Sequence, residues 1–494
     1  MKKNFLIAAA SAALLLGSDL AIAADVSFSG QIRPRMETRD HDFNETSDMQ
    51  SYIGTRVRLN AKATANQDTS VFLQFQSVGI WGFGDGLCCA GTRQATGGPG
   101  SQALDVLDDV GLHQAYFTLK NLYNTGLAAK VGRQEVVLDG HRLFGHTGWT
   151  TGAQTQDAAT FTHAGGNHTL NYIFIKGVED ATGAPFGAAG AAGSSQHDEN
   201  DYNTHILHAN TQGVMGGDLS GILVFTDDNN TGSQSDAAVE LAGIGQEWWT
   251  IGARQKGKAG GLDYRVEYYH QGGEAGATAT QRLNTSSLYS SYANGSSVDR
   301  NAYMFGIRVG KTFKNVQYSP TVTFWYDHLS GTDDDDITSN DMASFDTHHD
   351  TGHKFYGFMD HYLARDGSRT DMMGLRDFAV KTKFKLTGGW LLKADWHQFN
   401  TDTDFGENTQ VAQESASAGG ADAGEGTDLG NELDLTLVHK YASNVKFVYG
   451  YSHYWNTTLH AKLNDTHNLD GAGNASALNN DDSDWAYIMA DIKF

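Results

Sequence analysis

Ile53-Gly-Thr-Arg-Val-Arg-Leu-Asn-Ala-Lys62 places its apolar side chains mostly on odd positions and Arg56, Arg58, Asn60 and Lys62 on even ones. A strand turns successive side chains to opposite faces, so this stretch has one greasy face and one wet, cationic face. A helix would scatter the same residues around its circumference. Leu262-Asp-Tyr-Arg-Val-Glu-Tyr-Tyr269 and Phe378-Ala-Val-Lys-Thr-Lys-Phe-Lys-Leu386 alternate in the same way. Working outward, comparable runs recur from 26–37 to 484–494, with 52–64, 69–80, 126–135, 317–328 and 376–386 among them, and their count predicts eighteen strands.

The connections between these runs alternate in length. Long ones such as 81–109, 177–201, 271–299 and 329–375 follow tight ones at Asn66-Gln67-Asp68, Gly257 to Gly260 and Gly388. Barrels of the outer membrane have this asymmetry, with short periplasmic turns and long extracellular loops. A soluble sandwich or propeller has no reason to sort its connections by length. The expected fold is all-β, a transmembrane antiparallel β-barrel. Trp248, Trp249, Trp390, Tyr449, Tyr451, Tyr454 and Trp455 fall near strand ends, where interfacial girdles put aromatics. Pro34 is the misfit: it has no N–H for a ladder, and a closed barrel has no edge strand to hide it, so a bulge or strand end is expected there.

Composition narrows the function classes. The chain has 494 residues, 58 Asp plus Glu and 35 Lys plus Arg, for a net charge of −23. Nucleic acid is excluded as a partner, because neutralising phosphates needs a basic face. The two cysteines, Cys88 and Cys89, are adjacent, which excludes a disulfide framework or a cysteine zinc cluster. A vicinal disulfide, an inter-chain pair and a simple loop staple stay open for them. Residues 1–23 combine Lys2 and Lys3, an apolar run from Phe5 to Leu16 and Ala21-Ile22-Ala23, the pattern of a cleaved secretory signal. The run is too short to span a bilayer. A single barrel domain over 24–494 is therefore expected.

With apolar residues sent outward, the inward positions collect Arg33, Arg35, Arg56, Arg58, Arg254, Arg265, Arg308, Lys381, Lys383 and Lys393, together with further lysines. Their acidic counterparts include Glu37, Glu267, Asp327, Asp377, Asp395, Glu432 and Asp434. Basic positions outnumber acidic ones by roughly two to one on this face, so the excess acid is assigned to the loops. Such a wall attracts anions and disfavours cations. Arg33, Arg35, Arg56 and Arg58, on neighbouring strands, are the best candidates for a ladder gripping carboxylates, since guanidinium binds them through paired hydrogen bonds. The competing reading is a solvated lumen whose charges cancel locally.

Two motifs carry a resemblance. Val131-Gly-Arg-Gln-Glu-Val-Val-Leu-Asp-Gly-His-Arg-Leu-Phe144, followed by Trp149 and Asp157, resembles the signature region of the alginate-export outer-membrane porin family. His353-Lys-Phe-Tyr-Gly-Phe-Met-Asp-His-Tyr362, then Gly374-Leu375-Arg376-Asp377, is similar to a later motif of that family. The resemblance implies an eighteen-stranded monomeric barrel passing an anionic polysaccharide or smaller anionic solute through an arginine- and lysine-lined constriction, with no cofactor. By motif position Arg133 and Arg142 belong to that constriction or its support, with Gln134 and Asp157 as hydrogen-bonding partners; the alternative is that Gly132-Arg133-Gln134 only shapes a strand end. The last strand, Trp485 to Phe494, resembles the terminal strand read by the barrel-assembly machinery, and lipid and lipopolysaccharide are the expected surroundings.

Residues that could serve other function classes are also present. Asp333 to Asp336, Asp346, His348, His349, Asp350 and His353 lie in one loop, but their spacing matches no recognised ligand pattern, so no metal is assigned. Asp327-His328 and Asp360-His361 are offered as acid–base fragments without a nucleophile motif, so no catalysis is expected. A general diffusion porin, or an adhesin or structural barrel plugged by loop 329–375, remain the alternatives.

Overall fold

The protein, a computed structural model, is described over residues 25–39, 50–81, 110–178, 202–228, 246–275, 298–362, 370, 372–404, 426–461 and 481–494. The expected signal segment 1–23 and the Cys88-Cys89 pair lie outside the described residues.

Eighteen antiparallel strands close into a barrel. In chain order they are β1 (Asp25–Arg39), β2 (Gln50–Thr64), β3 (Thr69–Ile80), β4 (Gly111–Leu122), β5 (Leu127–Gln134), β6 (Gln156–Gly165), β7 (His168–Val178), β8 (Tyr202–Val214), β9 (Gly217–Asp228), β10 (Gln246–Ala259), β11 (Leu262–Glu274), β12 (Asp299–Thr312), β13 (Thr321–Leu329), β15 (Leu375–Lys385), β16 (Trp390–Asn400), β17 (Asp428–Lys440), β18 (Val445–Trp455) and β19 (Ser483–Lys493). A two-residue strand, β14 (Asp341–Met342), lies in the connection after β13 and pairs parallel with the start of β12. Each wall strand bonds to its sequence neighbour, and β1 pairs with both β2 and β19, which completes the circle.

The alternation read from the sequence is the alternation of the wall. Val57, Leu59, Leu207, Leu223, Phe225, Ile251, Val266 and Ile488 are exposed on the outer, lipid-facing side, while Arg33, Arg56, Arg254, Glu267 and Asp327 are buried on the inner side. At the seam Gly30 and Phe494 exchange backbone hydrogen bonds of 2.7 and 3.1 Å. Gly30 fits there because a Cβ would come within 2.8 Å of the Arg58 carbonyl oxygen as well as meeting the Phe494 ring.

Two local expectations are corrected. Pro34 makes no bulge: β1 keeps its register against β2 straight through Pro34↔Thr55. The ladder to β19 instead skips Arg33 and Pro34 and resumes in the same register at Arg35↔Met489, so the missing N–H is accommodated by a short gap. The strand expected from 317 begins at Thr321, because Tyr318 and Ser319 turn with φ of 65° and 42° before Pro320.

Candidate functional site

Two long connections fold into the lumen rather than outward. Residues 135–155 follow β5, and the described part of 330–374 follows β13. They meet inside the barrel through a parallel bridge, Phe144↔His349. Gly145 N–H donates to the His349 carbonyl at 2.8 Å, His349 N–H to Leu143 at 2.9 Å, and Thr351 N–H to His141 at 3.1 Å. Leu143, Phe144, Phe345 and Phe355 form an inner core with Ile173, Ile175, Ile206 and Val224 of the wall. Each such buried side chain contributes about 1.5–3 kcal/mol.

The wall grips both segments. Arg33 donates to the carbonyls of Gly148, Trp149 and Thr150 at 2.6, 2.9 and 2.8 Å. Arg56 reaches Gly148 and Thr150 at 3.2 Å each, and Arg35 reaches Trp149 O and Glu37. Arg58 bonds Gln76 and His113 and lies 3.5 Å from Glu135. The structure thus brings these four arginines together, but turns most of their donors to loop carbonyls and wall side chains rather than to an open ladder. On the other segment, Glu432 accepts the N–H groups of Phe358 and Met359 at 2.5 and 2.9 Å. A continuous stack, Arg35 on Trp149 (4.3 Å), Trp149 on His353 (4.3 Å) and His353 on Phe358 (4.9 Å), ties β1 to both segments.

Arg142 sits at the centre, with no solvent exposure. Its Nη2 lies 2.7 Å from Glu267 and 2.8 Å from Asp327, its Nη1 donates to Tyr356 Oη at 3.0 Å, and Phe355 covers its plane at 3.9 Å. Burial opposes its charge, but Asp327 and Glu267 outweigh burial and raise its pKa well above that of free arginine. Arg308 shares the same carboxylates, at 3.3 Å from Asp327 and 3.8 Å from Glu267, and lies 3.0 Å over Trp325.

Beside this pair of acids three cations converge. A Cβ at Gly140 would lie 3.5 Å from Arg254 Nη2, 3.9 Å from Arg265 Nη1 and 3.9 Å from Lys354 Nζ. Lys354 Nζ donates to the Gly140 carbonyl at 2.9 Å. Arg254 lies 3.7 Å from Glu267 and 3.8 Å from Asp139, and Arg265 lies 3.3 Å from Glu267, so acids hold both guanidinium groups in place. Burial, and then the positive field of Arg265 and Arg254, depress the Lys354 pKa. Cationic donors fixed in place beforehand are suited to binding a carboxylate.

The remaining candidates fall elsewhere. Arg133 is corrected: β5 does not break its alternation, and Arg133 points to the outer face. Its Nε and Nη2 donate to both oxygens of Asp157, at 2.9 and 2.7 Å. Asp157 shares the face of Phe161, which stacks on exposed Tyr172. Gly132, at φ 124°, is there because a Cβ would strike the Ala115 carbonyl. Gln134 turns inward, donating to the carbonyls of Ala158, Gly132 and Lys130. Lys381 lies 3.6 Å from Asp395 and 4.5 Å from Trp325, whereas Lys383 and Lys393 stand opposite each other lower on the wall.

The loop acids and histidines hold the loop together and fasten it to the wall. Asp333 and Asp336 form a capping box on α1 (Asp334–Ser339). His348 stacks on Trp248 at 4.5 Å and bonds Thr250 at 2.8 Å, and His353 bonds Asp360 at 2.7 Å. Asp327 serves Arg142 and Arg308 rather than its neighbour, His328 bonds Asp402 at 2.7 Å, and Asp360 accepts from His353. Sequence reading missed Lys354, Trp325 and the inward course of 135–155. The available signal was the glycine density at 140, 145 and 148, which lets a loop pack tightly.

Comparisons agree with this architecture. OccK8 (OprE) of Pseudomonas aeruginosa superposes with a TM-score of 0.53 at 12% identity, covering 95% of this chain and 98% of that one. OpdL of Pseudomonas aeruginosa gives 0.52 at 12% identity, covering 95% and 99%. OccAB2 of Acinetobacter baumannii gives 0.51 at 10% identity, covering 95% and 98%. No individually curated protein matches the chain in sequence. The profile described as "Alginate export" matches residues 24–462. The chain therefore belongs to the alginate-export family, as a porin-type β-barrel of the Gram-negative outer membrane.

Proposed function

We propose that this outer-membrane channel passes anionic solutes, with a carboxylated saccharide of the uronate class as the cargo its geometry suits best. The carrying observation is the convergence of Arg254, Arg265 and Lys354 on the space beside Gly140, with Lys354 exposed. Guanidinium groups held by Glu267 and Asp327 cost little reorganisation when an anion arrives. The role needs no bond-making step and no cofactor, and the expected setting is a monomer in lipid and lipopolysaccharide, inserted by the barrel-assembly machinery.

Reversal potentials in planar bilayers under a KCl gradient test the reading. Anion-preferring current, weakened by Arg265→Glu or Lys354→Glu, is the expected result; cation preference in the unmodified protein overturns it. The inner core built by the two segments favours one second reading, a barrel closed at rest. Near-zero conductance that rises when Glu432→Ala frees residues 358–359 would carry that reading instead.

A further inference from the structure

Below the constriction the wall holds a second cationic feature that Arg142 and its partners do not use. Lys381, Lys383 and Lys385 alternate along β15, all on the inward face, and run to its short-turn end. Lys383 stands directly opposite Lys393 of β16, and Lys440 of β17 stands directly opposite Lys446 of β18. Like charges placed opposite each other in a ladder are destabilising. Nearby acids relieve only some of this: Asp395 lies 3.6 Å from Lys381 and Asp491 lies 3.3 Å from Lys446. Among the described residues Lys383 and Lys393 have no ion pair, although both are partly buried.

We propose that the lysine face of β15 to β18 is a capture site for polyanions at the periplasmic mouth, separate from the Arg254–Arg265–Lys354 group. The inference rests on the anion-channel reading and adds a second site and a side to it. Lysine is a compact point charge on a flexible stem, suited to holding a mobile chain of carboxylates without fixing its orientation. Successive carboxylates of one oligomer can bridge lysines on neighbouring strands about 5 Å apart, so a multivalent anion gains where a single carboxylate does not. The lysines lie toward the short turns, and the inward segments enter from the opposite end. A polyanion arriving from the periplasm meets lysine first and the arginine cluster second.

The test uses trigalacturonate on the full chain, by calorimetry in detergent and by block of oriented channels from each side of a planar bilayer. The Lys383→Gln/Lys393→Gln double variant is expected to weaken binding about fivefold and to slow block from the short-turn side, with block from the long-loop side changed less than about twofold. Lys354→Gln is expected to weaken block from both sides. Unchanged short-turn-side block in the double variant, or equal loss from both sides, overturns the capture site while leaving the channel reading intact. No binding and no block in the unmodified protein overturns both.

Discussion

Arg142 shows what one buried charge does to its surroundings. It is the cation between Glu267 and Asp327, and the segment that carries it is packed on all sides. Removing one partner of a buried ionic network leaves uncompensated charge and costs about 3–5 kcal/mol. Arg142→Met is therefore expected to lower the thermal unfolding temperature in detergent, and Arg142→Met with Glu267→Gln to recover part of the loss. Asp350 has the opposite problem. Its Oδ2 is buried without a hydrogen-bond partner, and burial first, then the nearby Asp346, pushes its pKa up to about 8 against the pull of Arg142. The folded chain thus holds a proton that the unfolded chain releases near pH 4. Stability is full below that value and is drained as pH rises toward 8. Unfolding temperatures measured from pH 5 to 9 should fall with pH in the unmodified protein and flatten in Asp350→Asn; a slope unchanged by the substitution would remove Asp350 as its source.

At the level of elements, each strand was legible because its period of two is a local property, readable wherever a lipid-facing residue alternates with a wet one. β3 spans Thr69–Ile80, where the alternation places it, and the late start of β13 traces to Pro320 and a left-handed turn. The inward segments were not legible in the same way. Nothing periodic marks 135–155, and its course is fixed by distant groups: Arg33 and Arg56 on its carbonyls, and His349 beside Phe144. Arg33, Arg35, Arg56 and Arg58 were visible as inward cations, but a side chain's parity does not say whether it meets solute or a folded loop. Arg133 was assigned by motif position, but β5 pairs without interruption through Gly132 and Arg133, which leaves Arg133 on the outer face. Hydrogen bonds from charged donors contribute about 1.5–3 kcal/mol each. Arg33→Gln with Arg56→Gln should therefore loosen residues 148–150. Single-channel records should show larger, noisier openings, and a quiet, unaltered conductance would mean that the arginines do not hold the segment.

For the whole molecule, the chain is acidic at −23, and its inner wall carries a row of buried arginines, Arg33, Arg56, Arg254 and Arg308 among them. Those cations are interleaved with buried acids such as Glu37, Glu267, Asp327 and Glu432 on the same face. The field of the wall is screened over about 10 Å at 0.1 M salt and about 3 Å at 1 M. The ratio of anion to cation permeability should accordingly fall between those two concentrations. A ratio independent of salt would assign selectivity to pore width. The inner pairing has a further implication for biogenesis. Thr147 N–H bonds the hydroxyl of Thr351 across 204 residues of sequence, and contacts so remote are slow to form, because both stretches must first be delivered to the same place. Docking of the two segments on each other is therefore expected to be a slow step of maturation, read as a conductance that drifts downward after insertion into a bilayer.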